Sequence, residues 1–201
     1  MSEKKVSQVE DWIAKLVRIL SVPPIMATVM VLLLRLTRPV LFKSPADLWL
    51  SLLFLAAVPV LAYPVSWLVP ALRECGRDGQ RTLAFVFAFI GYICGVLYAL
   101  LFRRSSGLLM LFLIYFFSAL VLTVFNKVLH IRASGHASSV TGPIGYLCAA
   151  VGGWFYLLGA FLFGVILWAS VRIKRHTVPE FLIGSLSCVF SALLAWLICF
   201  P

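Results

Sequence analysis

The chain has 201 residues, of which 63% are hydrophobic and 12% are charged, and its formal net charge is +10. Its mean hydropathy is +1.06, whereas a soluble domain of this size needs far more polar surface. The composition therefore excludes a soluble globular protein and predicts a chain that is largely covered by lipid. Because the basic residues lie between apolar segments, membrane lipids are the expected partners, and nucleic acid is not.

The N-terminal segment, residues 1–22, carries apolar side chains at helical spacing on one face, with charged residues such as Lys4 and Asp11 elsewhere. This pattern predicts an amphipathic helix that lies at the membrane interface. The adjacent prolines Pro23 and Pro24 then redirect the chain. We expect residues 23–201 to form a single membrane-embedded helical domain.

Six later runs have the length and apolar character of membrane-spanning helices. They are residues 48–71, 82–102, 107–125, 138–154, 155–171 and 178–200. Residues 25–42 include two arginines, and this segment either spans the membrane or dips in and returns. Blocks such as 108–124 do not alternate polar and apolar residues, as the strands of a barrel would. The predicted fold is an all-α, polytopic integral membrane helix bundle.

Three charged loops, residues 72–81, 126–137 and 172–177, are separated by pairs of predicted spans and therefore share one side of the membrane. All three histidines of the chain lie in two of these loops: His130, His136 and His176. Arginines and lysines around two imidazoles favour a phosphate substrate. One imidazole can attack the phosphoryl group, and the other can protonate the leaving oxygen. The alternative is an ordinary basic membrane surface that contains histidines by chance.

The residues around two histidines resemble motifs of a known family. Arg132-Ala133-Ser134-Gly135-His136 resembles a Pro-Ser-Gly-His motif, and residues 169–180 resemble a Ser-Arg-x5-His-x3-Asp motif that ends on Glu180. Ser170 stands where that motif has arginine. Arg81-Thr82 resembles the end of a Lys-x6-Arg-Pro motif, whose lysine position falls on Glu74 beside Arg73. The chain thus resembles a short bacterial branch of the type 2 phosphatidic acid phosphatase superfamily, which includes membrane lipid phosphatases.

The resemblance implies that His176 attacks phosphorus and that Glu180 accepts a hydrogen bond from the other nitrogen of its ring. It implies that His136 protonates the leaving oxygen and then activates water. It also implies a set of phosphate-binding residues, which are Arg73, Arg81, Lys127, Arg132, Ser134, Gly135 and Arg172. No metal or cofactor is expected.

Four of these residues, namely Ser134, Gly135, Lys127 and Glu180, also have a simpler interpretation. Thr177-x-x-Glu180 before an apolar run is a capping box, and Ser134-Gly135 could be only the turn that starts the next helix. Lys127 could equally anchor the chain at the interface. His130 has no counterpart in the motifs and is expected to be an ordinary loop residue.

The predicted function is hydrolysis of a lipid phosphate or diphosphate, such as phosphatidate, phosphatidylglycerophosphate or polyprenyl diphosphate, through a phosphohistidine. The alternative is a catalytically impaired relative that binds or transports such lipids, because Ser170 and Glu180 depart from the motif. The expected location is a bacterial cell membrane. The lysine and arginine distribution favours a cytoplasmic site, whereas members of this family often act on the outer face, so sidedness and oligomeric state stay open.

Overall fold

The computed structural model describes residues 3–69 and 76–201, without the side chains of residues 3–6, 77, 78 and 81. These described residues form helices and short connections, and no strand occurs among them. In chain order the helices are α1 (Glu3–Leu20), α2 (Pro23–Thr37), α3 (Pro45–Leu68), α4 (Gly76–Leu101), α5 (Ser106–Thr123), α6 (Gly135–Val151), α7 (Phe155–Arg172) and α8 (Val178–Cys199). A 3-10 turn, Pro39–Leu41, follows α2, and a π turn, Val124–Val128, extends α5.

The all-α fold with several membrane-length helices is confirmed. Among the described residues, five helical segments are long and apolar enough to cross a bilayer: Pro45–Leu68, Thr82–Leu101, Ser106–Val128, Phe155–Arg172 and Val178–Cys199. Between 22% and 44% of each apolar window is buried within the chain, so most of this apolar surface faces outward, where lipid can cover it.

The number of spans differs from the prediction at two places. The run predicted at 138–154 forms α6, which has only 17 residues and is not among the five, because the chain leaves the helix at Gly152 and Gly153 with positive φ values of 77° and 59°. Helix α2 has 15 residues and is too short alone. Together, Ser7–Leu20 and Pro23–Thr37 pass the same test as a pair bent by 61°.

Two prolines lie in the interior of α3, where the helix is irregular. A π turn, Leu53–Ala57, interrupts the helix just before Pro59, and Pro64 lies inside the last turns. Proline has no N–H to donate into the helix, so the backbone shifts its hydrogen bonds by one residue there. A third proline of the predicted span, Pro70, lies outside the described residues.

Helix α1 turns its polar face toward the protein. Its apolar side chains Val9, Trp12, Leu16 and Ile19 are exposed, with Trp12 at 65%, while Ala14 is fully buried where α1 packs against α7. This is the orientation that an interfacial helix needs if its apolar face is to contact lipid. The location of α1 at the membrane interface stays a prediction.

The helices pack around α8, which contacts α5 and α6 along most of its length, while α4 packs between α3 and α5. The largest buried cluster is aromatic and aliphatic and includes Phe112 and Leu55. Close approach depends on two glycines of α4. A side chain at Gly91 would strike the Phe54 carbonyl of α3, and one at Gly95 would strike the Phe112 ring.

A buried ion pair closes the end of the bundle opposite the histidines. Asp47 at the start of α3 is fully buried and accepts hydrogen bonds from the Tyr98 hydroxyl (2.7 Å) and the Ser44 amide (2.9 Å). The guanidinium of Arg104 lies 3.1 Å from the same carboxylate. Because its partners come from α3, α4 and the loop before α5, this carboxylate fixes three segments relative to one another.

The contact that matters most for the histidine loops lies between α8 and the start of α6. The Ser134 amide donates to the Glu180 carbonyl (3.0 Å), and Gly184, one turn further along α8, lies directly under the Ser134 backbone. A Cβ at position 184 would lie 2.2 Å from the Ser134 carbonyl oxygen, so glycine is required for this approach.

We predict that Gly184→Ala destabilises the fold by about 1–3 kcal/mol or more, since the methyl group collides with backbone that cannot move aside like a side chain. Thermal unfolding in detergent measures the effect. The matched control is Gly164→Ala in α7, where an added Cβ meets no atom within 4 Å. Equal unfolding temperatures for the two variants would contradict the assigned contact.

Candidate functional site

Glu180 connects His176 to the first turn of α8. Its carboxylate accepts from His176 Nδ1 (3.1 Å) and from the Thr177 amide (3.2 Å), while the Thr177 hydroxyl accepts from the Glu180 amide (3.4 Å). The capping box and the histidine contact therefore coexist in one residue. Because an ionised carboxylate only accepts hydrogen bonds, Nδ1 of His176 carries the proton and Nε2 keeps its lone pair.

The loop before α6 brings a cation to the same carboxylate. Arg132 Nη1 lies 3.4 Å from Glu180, and its side chain is 72% exposed, so the guanidinium can also reach a ligand from solvent. Asn126 holds this loop in place, because its amide pairs with both the N–H and the carbonyl of Ala133 (3.1 and 3.2 Å). Ala133 occupies the position of the motif proline.

Ser134 is the N-cap of α6. Its hydroxyl accepts from the Ala137 amide (3.2 Å), and the residue is fully buried, so the structure supports the capping interpretation of its side chain. Gly135 is exposed and is the first residue of the helix, where backbone N–H groups have no partner within the helix. An anion at this terminus is favoured by those N–H groups and by the helix dipole.

His136 lies on the first turn of α6 and contacts the end of α1. Its Nε2 is 3.0 Å from the Ser21 hydroxyl, which also lies 3.3 Å from the Arg18 carbonyl. Burial, the largest cause, and the positive charges of Arg18 and His176 together lower the pKa of His136 to about 4. His136 is therefore a neutral imidazole near pH 7 while the site is empty.

His176 has opposing influences on its charge. Burial is the largest influence and lowers the pKa of His176, the hydrogen bond that its Nδ1 donates to Glu180 raises it, and Arg18 and Arg132 lower it. The net direction is downward. Both histidines are thus held in the neutral form that a nucleophile or a base requires.

Sequence reasoning missed Arg18 and Ser21. Arg18 affects the pKa of both histidines, and Ser21 is hydrogen-bonded to one of them, so the C-terminal end of α1 is part of the site. The signal was present as four polar residues, Ser7, Asp11, Arg18 and Ser21, which together with the small Ala14 are spaced by three or four and share one face of α1. Only the packing of α1 against α7 shows that this face points toward the protein.

Arg172, a predicted phosphate ligand, is engaged elsewhere. Its guanidinium contacts Asp11 (2.8 Å), Glu10 (3.2 Å) and the Ser7 hydroxyl (2.9 Å), all on α1. This guanidinium is therefore occupied before any ligand binds. It anchors α1 to the end of α7 and keeps Arg18 and Ser21 near the histidines.

The remaining predicted residues have less defined roles. Lys127 is exposed in the π turn that ends α5, and His130 is exposed with a positive φ of 54°. Arg81 belongs to α4, but its side chain is outside the described part of the chain, as is the whole of Arg73. Ser170, at the position of the motif arginine, is fully buried in α7.

The residues brought together are two neutral imidazoles, a carboxylate that orients one of them, and the cations Arg18 and Arg132. Among the described residues, no group of three or more His, Cys, Asp or Glu side chains could hold a metal ion. No protein-family model, curated protein or solved structure was found to match this chain.

We predict that the protein loses stability as the pH falls from 6.5 to 4. Over this range the unfolded chain protonates His136 at the ordinary pKa of 6.5, whereas the folded protein resists until about 4. The loss reaches about 3 kcal/mol at most, since one pKa unit corresponds to ~1.4 kcal/mol. Inorganic phosphate reduces this loss, because an anion beside the ring favours its charged form.

Thermal unfolding between pH 4 and 7.5, with and without phosphate, measures both effects. The variant His136→Gln should flatten the pH dependence, and His130→Gln should leave it as in the wild type, because His130 is exposed. A pH profile that is identical in all three proteins would contradict the placement of His136.

Proposed function

We propose that this protein is a membrane lipid phosphatase that hydrolyses a lipid phosphate or diphosphate through a phosphohistidine. The observation that carries the proposal is the pairing of His176 with Glu180 beside a second neutral histidine, His136, on the adjacent helix start. This arrangement provides a nucleophile whose tautomer is fixed and a separate group for proton transfer. The resemblance of the two motifs to a lipid phosphatase family supports the same conclusion.

In the first step, Nε2 of His176 donates its lone pair to phosphorus, and the bond between phosphorus and the lipid oxygen breaks. The leaving oxygen takes a proton from His136. Nδ1 of His176 keeps its proton, and Glu180 stabilises the positive charge that spreads over the ring. For His136 to carry that proton, its pKa must rise when substrate binds, and the phosphate charge beside the ring has this effect.

In the second step, His136 removes a proton from water, and the resulting hydroxide oxygen bonds to phosphorus. The bond between phosphorus and His176 Nε2 breaks, and inorganic phosphate leaves. Both histidines thereby return to the forms in which the first step began, with His136 again carrying the proton that it gave to the leaving group. The hydroxyl of Ser21 at 3.0 Å orients the ring for both transfers.

We assign the non-transferring phosphoryl oxygens to Arg18, Arg132 and the Gly135 amide. Arg18 reaches both histidines electrostatically and supplies the charge that the family motif has at the position of Ser170. Arg132 bridges from Glu180 and is largely exposed. Bidentate guanidinium contacts are well suited to phosphate. Arg81 and Lys127 remain further candidates on this side of the bundle.

A lipid-phosphate binding or transport protein is the second candidate. It is favoured by the contact between Ser21 and the Nε2 of His136, which leaves only the Nδ1 of that ring for proton transfer. It is also favoured by Arg172, whose guanidinium is taken by Asp11 and Glu10. Such a protein would bind lipid phosphates and release no phosphate.

We predict that the purified protein releases phosphate from a lipid phosphate in the presence of EDTA. His176→Ala and His136→Ala should each lower kcat by at least about a hundredfold, the lower bound for loss of a general acid or base. Arg18→Gln should lower kcat/KM by about tenfold or more, because it removes a charge-assisted contact. Phosphate release from a panel of lipid phosphates and diphosphates measures these rates.

The matched control is His130→Ala, since His130 lies in the same loop as His136 but is exposed and has no place in the mechanism. Wild-type binding without any release would reject the enzyme and favour the binding protein. Release that survives in His176→Ala would reject this histidine as the nucleophile.

A further inference from the structure

Two apolar cavities, each partly open to the outside, lie between the helices. The first, here called the proximal cavity, has a volume of about 670 Å³ and reaches the histidine end of α6, where it is lined by Gly135, Ser138 and Ser139. The second, the distal cavity, has a volume of about 600 Å³ and extends toward Trp196 and Arg38 at the other end. Each has the size of an ordinary small-molecule site of roughly 300–1,000 Å³.

The two cavities follow one face of α6. The proximal cavity touches residues 135, 138, 139 and 142, and the distal cavity touches 142, 145, 146 and 149. Spacings of three and four place all of these on a single helix face. From Gly135 to Ala149 the face is about 21 Å long at 1.5 Å per residue, which exceeds half of the ~30 Å hydrocarbon core.

The two cavities adjoin at Ile114, Gly142 and Cys188, the three residues that line both. Glycine leaves the least side-chain bulk at this boundary. A Cβ at position 142 would lie 3.2 Å from Cys188 Sγ and 3.9 Å from Ile114 Cγ2. A large side chain at this position would therefore separate the two cavities.

The chemistry at the two ends identifies the occupant. The proximal cavity is lined by Val22 and Gly135, the sequence neighbours of Ser21 and His136, which contact each other. Arg18 and Arg132 bring positive charge to the two histidines, so an anion is attracted to this end. The walls of the two cavities are mainly apolar side chains from six helices. An amphiphile with a phosphate head and one long hydrocarbon chain complements both the positive charge at the proximal end and the apolar walls. Its head can lie at the histidines while its chain avoids water.

We propose that the two cavities form one tail site, which holds a single hydrocarbon chain of the substrate lipid extending past the midplane of the bilayer. The proposal rests on the proposed function, of which it names the substrate class. It favours a polyprenyl diphosphate over a diacyl phosphate, because the path is longer than one leaflet and follows a single helix face. The site distinguishes substrates by the length of their chain.

The experiment compares hydrolysis of geranyl, geranylgeranyl and undecaprenyl diphosphate and of a diacyl phosphatidate. Gly145→Leu fills the distal cavity without a collision, since a Cβ there meets no atom within 4 Å. We expect it to lower kcat/KM for undecaprenyl diphosphate by about tenfold or more and to leave geranyl diphosphate unchanged. Gly142→Leu should lower kcat/KM for geranylgeranyl diphosphate as well as for undecaprenyl diphosphate.

The matched control is Gly164→Leu, which adds the same side chain to an exposed helical glycine that lines neither cavity. If Gly145→Leu and Gly164→Leu have the same substrate profile, the tail site is rejected while the phosphatase remains. A preference of the wild type for phosphatidate over every prenyl diphosphate would also reject the single long chain.

Photolabelling tests the tail site without any turnover. A non-hydrolysable polyprenyl phosphonate with a diazirine at the end of its chain should label peptides around Tyr146 and Ala192, which line the distal cavity and are not exposed. Labelling should disappear in Gly142→Leu. Labelling that is confined to outward-facing residues such as Leu157 would show that the cavities hold only bulk lipid and would overturn the proposal.

Discussion

The close contact between α8 and the start of α6 is the constraint on which the candidate site depends. Gly184 allows the Ser134 backbone to lie directly on α8, and the Ser134 amide donates to the Glu180 carbonyl. Because His136 follows Ser134 by two residues and His176 precedes Glu180 by four, this one contact brings two distant loops together.

A second constraint comes from the N-terminal helix, which completes the site from outside the motif region. Arg172 holds α1 through Asp11 and Glu10, and this arrangement directs Arg18 and Ser21 toward the histidines. The acidic residues of α1 thus neutralise Arg172, while Arg18 lies close to the imidazoles. The result is a positively charged pocket with neutral histidines, in which a phosphate dianion would find compensating charge.

Much of the fold could be predicted because membrane-length apolar runs are a strong local signal. The helix over 138–154 was harder to interpret, because its end is set by two glycines with positive φ and not by a change in hydropathy. The capping box at Thr177 and Glu180 and the cap at Ser134 were also readable, since each needs only residues close in sequence. These caps place both histidines at helix starts.

The missing part of the site could not be predicted from local patterns. Ser21 and His136 are 115 residues apart, and no spacing rule connects them. Arg172 is predicted as a phosphate ligand because it lies in the same loop region as His176. In the structure its partners are the acidic side chains Glu10 and Asp11 of α1. The sequence pattern of α1 indicates only that these side chains lie outside the apolar face. Which face of an amphipathic helix contacts the protein depends on tertiary packing, which in a membrane can bury the polar side.

The most direct test of the proposed chemistry is to locate the phosphate on the enzyme during turnover. The protein would be mixed with a labelled lipid phosphate, quenched in alkali to preserve phosphohistidine, and analysed by peptide mass spectrometry. The mechanism predicts phosphate on His176. With a substrate whose leaving group needs no proton, His136→Ala should accumulate more of this phosphohistidine than the wild type, because the variant cannot activate water for the second step. Phosphate release without any phosphoenzyme, or with phosphate on another residue, would contradict it.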